Sequence, residues 1–162
     1  MTHDELIERA IKWLYGTERC WAVLSEVHSN AREIPDAIGW QFGGRVSILV
    51  ECKTSRSDFF ADAHHKFAHR DYLGMGNYRY YMTVPGLVKV EELPEKWGLL
   101  EVYPRQVRHK RWATKRSYTQ YPRIAQMERF LMVAGLRMYT QREEGCDDLR
   151  ETETHETGQE PR

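Results

Sequence analysis

The chain has 162 residues, with 24 basic and 24 acidic side chains and a formal net charge of zero. This length suits one domain with a single core and is short for two. The three cysteines are odd in number and include no Cys-x-x-Cys pair, which argues against a disulfide framework and a zinc knuckle. This cysteine usage favours a reducing, cytoplasmic location. No run of 18 apolar residues occurs, so we expect no membrane partner.

The zero net charge hides two segments of opposite sign. Residues 143–162 contain eight acids and two arginines, while residues 105–123 contain seven basic side chains and no acid. We therefore predict one domain over residues 1–142, followed by a disordered acidic tail over residues 143–162. The basic segment is the expected contact for DNA. The predicted nucleic-acid-binding residues are Arg105, Arg108, Lys110, Arg111, Lys115 and Arg116.

The first half of the chain reads as a helix followed by three strands. Apolar residues recur at helical spacing after a cap at Thr2 or Asp4, and Gly16 ends this helix. Short segments rich in β-branched and aromatic residues follow. The three predicted strands are Cys20–His28, Ile34–Phe42 and Val46–Lys53. Gly43 and Gly44 form the predicted turn between the second and third strands.

The second half reads as a helix, two strands and a final helix. Ser57 is the predicted N-cap of a helix over Asp58–Asp71. The two predicted core strands are Asn77–Pro85 and Trp97–Tyr103. Pro122 suits the first turn of the last helix. The predicted apolar stripe of that helix is Ile124, Met127, Phe130, Leu131, Ala134 and Met138.

Charged residues stand at the end of a strand that is otherwise apolar. Strand alternation places Glu51 and Lys53 on one face. A two-residue turn at the glycine pair sets Asp36 opposite Glu51, with Cβ atoms about 4.5 to 5.5 Å apart. Two carboxylates this close repel unless a cation lies between them. Oxygen ligands suit Mg²⁺ or Mn²⁺ better than zinc.

These residues resemble a known family. The dipeptide Pro35-Asp36, with Glu51-Cys52-Lys53 fifteen residues after the aspartate, is similar to the motif of the PD-(D/E)XK nuclease superfamily. The segment TSRSDFFAD, Thr54–Asp62, looks like the MmcB-like DNA-repair branch. The resemblance implies an α/β fold with a three-layer-like restriction-endonuclease core, in the order αβββαβ, whose mixed central sheet is flanked by helices. It also implies metal-dependent hydrolysis of DNA in repair or processing.

The resemblance assigns roles by position. Asp36 and Glu51 would be metal ligands, the backbone carbonyl of Cys52 a further ligand, and Lys53 the catalytic lysine. Superfamily members often add an upstream acid, for which Glu26 and Glu8 are the candidates. Glu26 is favoured because a carboxylate inside an apolar strand needs a partner.

Other interpretations of the same residues stay open. Asp36, Glu51 and Lys53 would also be compatible with a structural salt bridge. The chain would then be a nuclease-fold DNA-binding or adaptor protein without catalysis, and an RNA-acting nuclease is a third possibility. Asp58 and Asp62 are expected at a helix start and on the surface. The oligomeric state is left open.

Overall fold

The computed structural model describes residues 1–28, 33–63, 74–117 and 122–137. These residues form a mixed α/β fold with one six-stranded sheet and three helices. The helices are α1 (His3–Gly16), α2 (Arg56–Ala63) and α3 (residues 122–137). The strands are β1 (Ala22–Leu24), β2 (Ala37–Gln41), β3 (Val46–Lys53), β4 (Tyr78–Thr83), β5 (Gly98–Tyr103) and β6 (Gln106–Arg111).

The six strands lie side by side in chain order. Strand β4 is parallel to both β3 and β5, and the other neighbouring pairs are antiparallel. Strand β3 is therefore central, with β2 on one side and β4 on the other. A buried central strand explains the continuous apolar run that leads into Glu51.

The predicted register between β2 and β3 is confirmed. Ala37 pairs with Val50, so the next step outward sets Asp36 opposite Glu51. The predicted two-residue turn is wrong. Gln41 and Val46 are the last paired residues before the loop, so four residues, which include a 3-10 turn, join the strands. Both loops are centred between Gly43 and Gly44, so the register is the same for either.

Helices cover both faces of the sheet. Helix α1 packs on the face that carries Val50 and Cys52. Helices α2 and α3 pack on the face that carries Leu49, through residues such as Phe59 and Leu131. Strand alternation places Glu51 and Lys53 on this second face, as predicted.

Two strands differ from the sequence prediction. Strand β1 ends at Leu24, because the backbone of Glu26 turns into the left-handed region with a φ of 51°. Strand β6 lies inside the basic segment and was not predicted. It follows a tight turn after Tyr103, which pairs with Gln106. Its many charges are acceptable because β6 is an edge strand with a solvated side.

The first two helices begin with side-chain caps. Thr2 caps α1 in a capping box with Glu5, which confirms one of the two predicted caps. At the start of α2, the hydroxyl of Ser55 accepts the Asp58 N–H at 3.2 Å. Ser55 therefore replaces the predicted cap Ser57. Residues 64–71 of the predicted helix lie outside the described residues.

Pro122 is the first described residue of helix α3, and the buried face of this helix differs from the prediction. Ile124, Glu128 and Leu131 are buried, whereas Phe130 is 66% exposed. The predicted stripe was wrong at Phe130 and Ala134, which are exposed. The buried face instead includes a charged residue, Glu128, which an apolar pattern does not indicate. Glu128 is buried because its carboxylate accepts the Gly76 N–H at 2.5 Å.

Within the described part of the chain, no helix is both long enough and apolar enough to cross a membrane. The acidic segment 143–162 and the last predicted stripe residue, Met138, lie outside that part.

Candidate functional site

Asp36 and Glu51 are the next residues outward from Ala37 and Val50, the last pair between β2 and β3, and the charge of Asp36 acts on Glu51. One oxygen of Asp36, Oδ2, accepts the Cys52 N–H at 2.6 Å. The other, Oδ1, lies 3.4 Å from Nε2 of His3 at the start of α1. Glu51 is only 8% exposed. Both predicted acids are therefore positioned by backbone structure, one at the edge of β2 and one inside β3.

Lys53 is held between two carboxylates. Its Nζ lies 3.8 Å from Oε2 of Glu51 and 3.7 Å from Oδ2 of Asp62. The hydroxyl of Tyr81, on β4, donates to the same oxygen of Asp62 at 2.8 Å. The four side chains form one connected group that spans β3, β4 and α2.

Asp62 was predicted to be a surface residue, and the structure instead places it beside Lys53. It was missed because it lies on a different element from the motif. One signal was present in the sequence: Asp62 is three residues after Phe59, which puts both on one face of a helix. Phe59 is fully buried against the sheet, so its helical neighbour faces the sheet as well.

Burial and mutual repulsion make the acids hard to ionise. Burial raises the pKa of Glu51 well above its ordinary value, and the charge of Asp36 raises it further. Burial also raises the pKa of Asp36, although the Cys52 N–H and Lys53 act in the opposite direction. Nearby positive charge favours the ionised form of both carboxylates. The site is therefore short of positive charge when both acids are ionised.

Lys53 stays protonated through the neutral range. Burial alone would lower its pKa, but the surrounding carboxylates, Glu51 first, outweigh that effect and the pKa is raised. Its ammonium group is thus a fixed cation beside Glu51. It is suited to stabilise a developing negative charge or to orient a water, and poorly suited to accept a proton.

The backbone of Cys52 points toward Asp36. The Cys52 N–H donates to the Asp36 side chain, and in an extended strand the N–H and C=O of one residue point to the same side of the strand. Pro35, on that side, has no N–H to donate to the Cys52 carbonyl, and its own carbonyl accepts the Glu26 N–H at 3.1 Å. The Cys52 carbonyl is therefore oriented for a ligand on the Asp36 side.

The donor set fits a hard divalent cation. Two carboxylates and a backbone carbonyl are oxygen ligands, which Mg²⁺ and Mn²⁺ prefer, and water or phosphate would supply the remaining positions. The two acids with raised pKa values are also the groups that a cation would relieve. Among the described residues, no three His, Cys, Asp or Glu side chains are grouped as a metal site. A cation here would therefore depend on the backbone carbonyl and on solvent.

Both predicted upstream acids have exposed side chains, although the Glu26 backbone N–H donates to Pro35, next to Asp36. Glu26 follows β1 and is exposed, which corrects the expectation that it lies inside an apolar strand. Glu8 is exposed on α1 and pairs with Lys12 at 3.7 Å. The further acids whose charges raise the pKa of Glu51 are Asp62 and, with a smaller effect, Glu33, which is buried in an ion pair with Arg79.

Four of the predicted nucleic-acid-binding residues are exposed. These are Arg105, Arg108, Lys110 and Lys115. The Arg108 guanidinium lies over the Tyr103 ring at 4.8 Å, and Lys110 Nζ is 3.8 Å from Oε2 of Glu101. Strand alternation puts Arg108 and Lys110 on the same face of β6, so their charges add along the edge of the sheet.

The other two predicted binding residues hold the fold together. Arg111 donates to the carbonyls of Pro94 at 2.6 Å and Trp97 at 2.7 Å. Arg116 is 6% exposed, and it donates to the carbonyl of Gly76 at 3.3 Å. These bonds attach the segment after β5 to neighbouring loops, so the surface path for a polyanion is left to the four exposed residues.

Comparisons with known proteins inform the fold alone. No family model matches the chain, and no curated protein matches it either. A solved structure of a protein of unknown function from Silicibacter pomeroyi is similar, with a TM-score of 0.65 and 19% sequence identity. The match covers 98% of this chain and 99% of that protein. The fold of this chain therefore resembles that of a solved protein along nearly its whole length.

Proposed function

We propose that this chain is a metal-dependent nuclease with a restriction-endonuclease core that hydrolyses phosphodiester bonds of DNA, in repair or processing. One observation carries the proposal: the β2–β3 register sets Asp36 against Glu51, with the ammonium group of Lys53 3.8 Å from Glu51. The described order of elements begins α, β, β, β, α, β, which agrees with such a core. This is the residue set that the PD-(D/E)XK resemblance implies.

Asp36, Glu51 and the Cys52 carbonyl would hold the Mg²⁺ or Mn²⁺ ion. The bound ion would polarise a phosphoryl oxygen and lower the pKa of a water molecule. The chain's own contribution is to fix the ligands. The Cys52 N–H holds one oxygen of Asp36 at 2.6 Å, and β3 holds Glu51 in a mostly buried position.

The ammonium group of Lys53 would stabilise negative charge on the reacting phosphate. Its pKa is raised, so it carries its charge at neutral pH. A buried ammonium group beside a reacting phosphate stabilises the charge that develops in the transition state. Asp62, fixed by Tyr81, orients this side chain from the opposite side to Glu51.

DNA is the proposed substrate because exposed cations extend from the β5–β6 turn along β6. Arg105, Arg108 and Lys110 lie there, and phosphate contacts of this kind supply affinity without selecting a sequence. Duplex and single-stranded DNA both carry the phosphates that such a surface would contact.

The test is a cleavage assay on purified full-length protein. Linear duplex, single-stranded and flap DNA are incubated with Mg²⁺, Mn²⁺ or EDTA, and matched RNA is run beside them. We expect metal-dependent cleavage of at least one DNA form, reduced about 100-fold or more in Lys53→Met, since one transition-state charge contact is worth a factor of this order. Lys12→Gln, an exposed lysine on α1, is the matched control and should cut like the parent. The proposal fails if no DNA form is cut, or if Lys53→Met cuts as well as the parent.

A catalytically inactive DNA-binding or adaptor protein is the second candidate. It is favoured by the ion pairs that Lys53 already forms with Glu51 and Asp62. For such a protein, Asp36→Asn should leave DNA affinity unchanged, and Mn²⁺ should not bind. Calorimetric titration of Mn²⁺ into the parent and into Asp36→Asn separates the two candidates without an activity assay.

A further inference from the structure

A second group of basic residues, apart from those on β6, lies away from the proposed catalytic residues Asp36, Glu51 and Lys53. An open cavity of about 830 Å³ is found where β3 and β4 begin. Its lining residues are Arg45, Asn77, Lys115, Arg116, Ser117, Pro122, Ala125, Gln126 and Arg129. Arg45 directly precedes β3, whereas Lys53 ends it. Glu51 is six residues after Arg45, so at about 3.3 Å per strand residue the cavity lies roughly 20 Å from the carboxylate pair.

The cavity is strongly cationic. Four of its nine lining residues are arginine or lysine, and none is acidic. Among the described residues, Arg45, Lys115 and Arg129 form no ion pair. Like charges gathered around a cavity repel, and a bound anion would remove that repulsion. Glu128, the acid in the described part of α3, is engaged by the Gly76 N–H and does not line the cavity.

A rigid frame supports these cations. Asn77 accepts the Ser47 N–H at 2.9 Å and donates to the Arg116 carbonyl at 3.2 Å. The Arg116 N–H in turn donates to the Asn77 carbonyl at 2.8 Å. These bonds attach the segment that carries Lys115 and Arg116 to the start of the central strands. The backbone that carries Lys115 and Arg116 is thus positioned before any ligand arrives, which lowers the entropic cost of binding.

The amino-terminal side of α3 adds a favourable field. Pro122, Ala125 and Gln126, all near the amino-terminal limit of the described helix, line the cavity, so the positive end of the helix dipole lies on the cavity side. A helix amino terminus favours phosphate, and arginine recognises phosphate oxygens in a bidentate manner. The cavity volume falls in the range of small-ligand sites. Cavity, cations and helix terminus all favour the same ligand chemistry.

We propose that this cavity binds the phosphate group of a nucleotide ligand. The phosphate would lie between Arg45 and Arg129, with Lys115 and the buried Arg116 behind it. Two sources share this chemistry: a free nucleoside polyphosphate and the 5′-phosphorylated end of a nucleic acid. This phosphate site is separate from the carboxylate pair of Asp36 and Glu51, and binding there does not depend on DNA hydrolysis at that pair.

Binding is tested by isothermal titration calorimetry on the full chain in low salt with EDTA, using inorganic pyrophosphate and ATP as probes. The parent should bind at least one of them. Arg45→Gln/Arg129→Gln should bind at least tenfold more weakly, while Lys12→Gln, which removes an exposed cation on α1, should bind like the parent. Thermal unfolding verifies that each variant is folded.

The proposal is overturned if the parent binds neither probe, or if the double variant binds both as the parent does. Two oligonucleotides of one sequence, with a 5′-phosphate and a 5′-hydroxyl, then identify the source. A preference for the 5′-phosphate that is lost in the double variant supports a nucleic-acid end, and equal binding of both supports a free nucleotide. Glu51→Gln should bind pyrophosphate like the parent, so failure of the nuclease proposal leaves this result unaffected.

Discussion

Glu51 is a carboxylate in an environment that disfavours its charge. It is buried, it faces Asp36, and its cationic neighbour Lys53 is shared with Asp62. Burial is the larger cause of its raised pKa and Asp36 is the second. In the absence of metal, the folded protein therefore holds a proton on Glu51 at pH values where the unfolded chain has released it. Glu51 must then contribute to the pH dependence of the stability of the metal-free protein.

Glu51→Gln should remove that dependence. The folded-state pKa of Glu51 lies above its ordinary value of 4.5. The contribution of protonated Glu51 to the free energy of unfolding is therefore fully present below about pH 4.5 and is lost as pH rises through the folded-state pKa. Thermal unfolding in EDTA from pH 4.5 to 8 should show that the unfolding temperature of the variant increases relative to that of the parent as pH rises. Each kcal/mol gained corresponds to about 2–4 °C for a chain of this size.

Glu8→Gln is the control for this series, because Glu8 is exposed on α1. Its unfolding temperature should follow the parent at every pH. Added Mn²⁺ should raise the unfolding temperature of the parent at pH 8 and have less effect on Glu51→Gln, since a ligand that binds the folded state stabilises it. Parallel curves for the parent and Glu51→Gln in EDTA would contradict the buried-charge explanation.

Tyr81 is a positioning residue for Lys53, acting through Asp62. Tyr81→Phe removes the donor at 2.8 Å from Asp62 and should cost about 0.5–1.5 kcal/mol of stability. Tyr103→Phe is the matched control, because the Tyr103 hydroxyl donates to the Glu101 carboxylate at 2.9 Å away from the site. Urea unfolding should show a loss in both variants. Only Tyr81→Phe should lower kcat for DNA cleavage, and equal kcat values in the two variants would leave Tyr81 with a structural role alone.

At the scale of elements, β4, β5 and the segment after β6 meet closely at Gly98. A Cβ atom there would lie 2.3 Å from the Tyr80 ring and 2.8 Å from the Ala113 backbone nitrogen. Gly98→Ala should therefore destabilise the protein by about 1–3 kcal/mol, as other overpacked positions do. Gly16→Ala, at the end of α1 with no atom within 4 Å, should be neutral or slightly stabilising. Urea unfolding of both variants measures the difference, and equal stabilities would contradict the close packing at Gly98.

The sequence was sufficient to predict the strand pairing at the site. Period-two alternation and the glycine pair set Asp36 opposite Glu51 even though the turn type was wrong, because register depends on where a loop is centred. The predicted positions of Asp36, Glu51 and Lys53 relative to one another follow from one hairpin. Local patterns are enough when the interacting residues belong to neighbouring segments.

Contacts between distant elements were not predictable in this way. Asp62 and Tyr81 reach Lys53 from α2 and β4, and their approach depends on how a helix docks on the sheet. Strand β6 was missed because its alternation is charged rather than apolar. The buried face of α3 was misassigned because Glu128 is buried to satisfy a backbone N–H of Gly76, which no helical pattern indicates.

At the scale of the whole molecule, charge is distributed unevenly although it sums to zero. Basic residues are concentrated on β6 and around the cavity beside α3, and the acidic segment lies after residue 142. A polyanion approaching the folded part would meet positive potential on these surfaces. Electrostatic attraction of this kind is screened by salt.

The salt dependence of DNA binding measures how many of these charges take part. Arg105→Gln/Arg108→Gln should reduce the slope of log K against log salt by about two for duplex DNA, because each phosphate contact contributes about 0.9. Fluorescence anisotropy with a labelled duplex in EDTA gives the slope from 50 to 200 mM salt. Lys12→Gln should leave the slope unchanged. A double variant with the slope of the parent would exclude β6 and its turn from the DNA contact.

Strand β6 has one further consequence, for how the protein behaves at high concentration. The outer side of an edge strand has hydrogen-bonding groups that no neighbour uses, and a second molecule can add its own strand there. Along β6, however, Arg108 and Lys110 repeat at alternate positions and remain exposed. Two copies brought edge to edge would place these cations against each other. The charges proposed to attract DNA therefore also oppose aggregation of the sheet with itself.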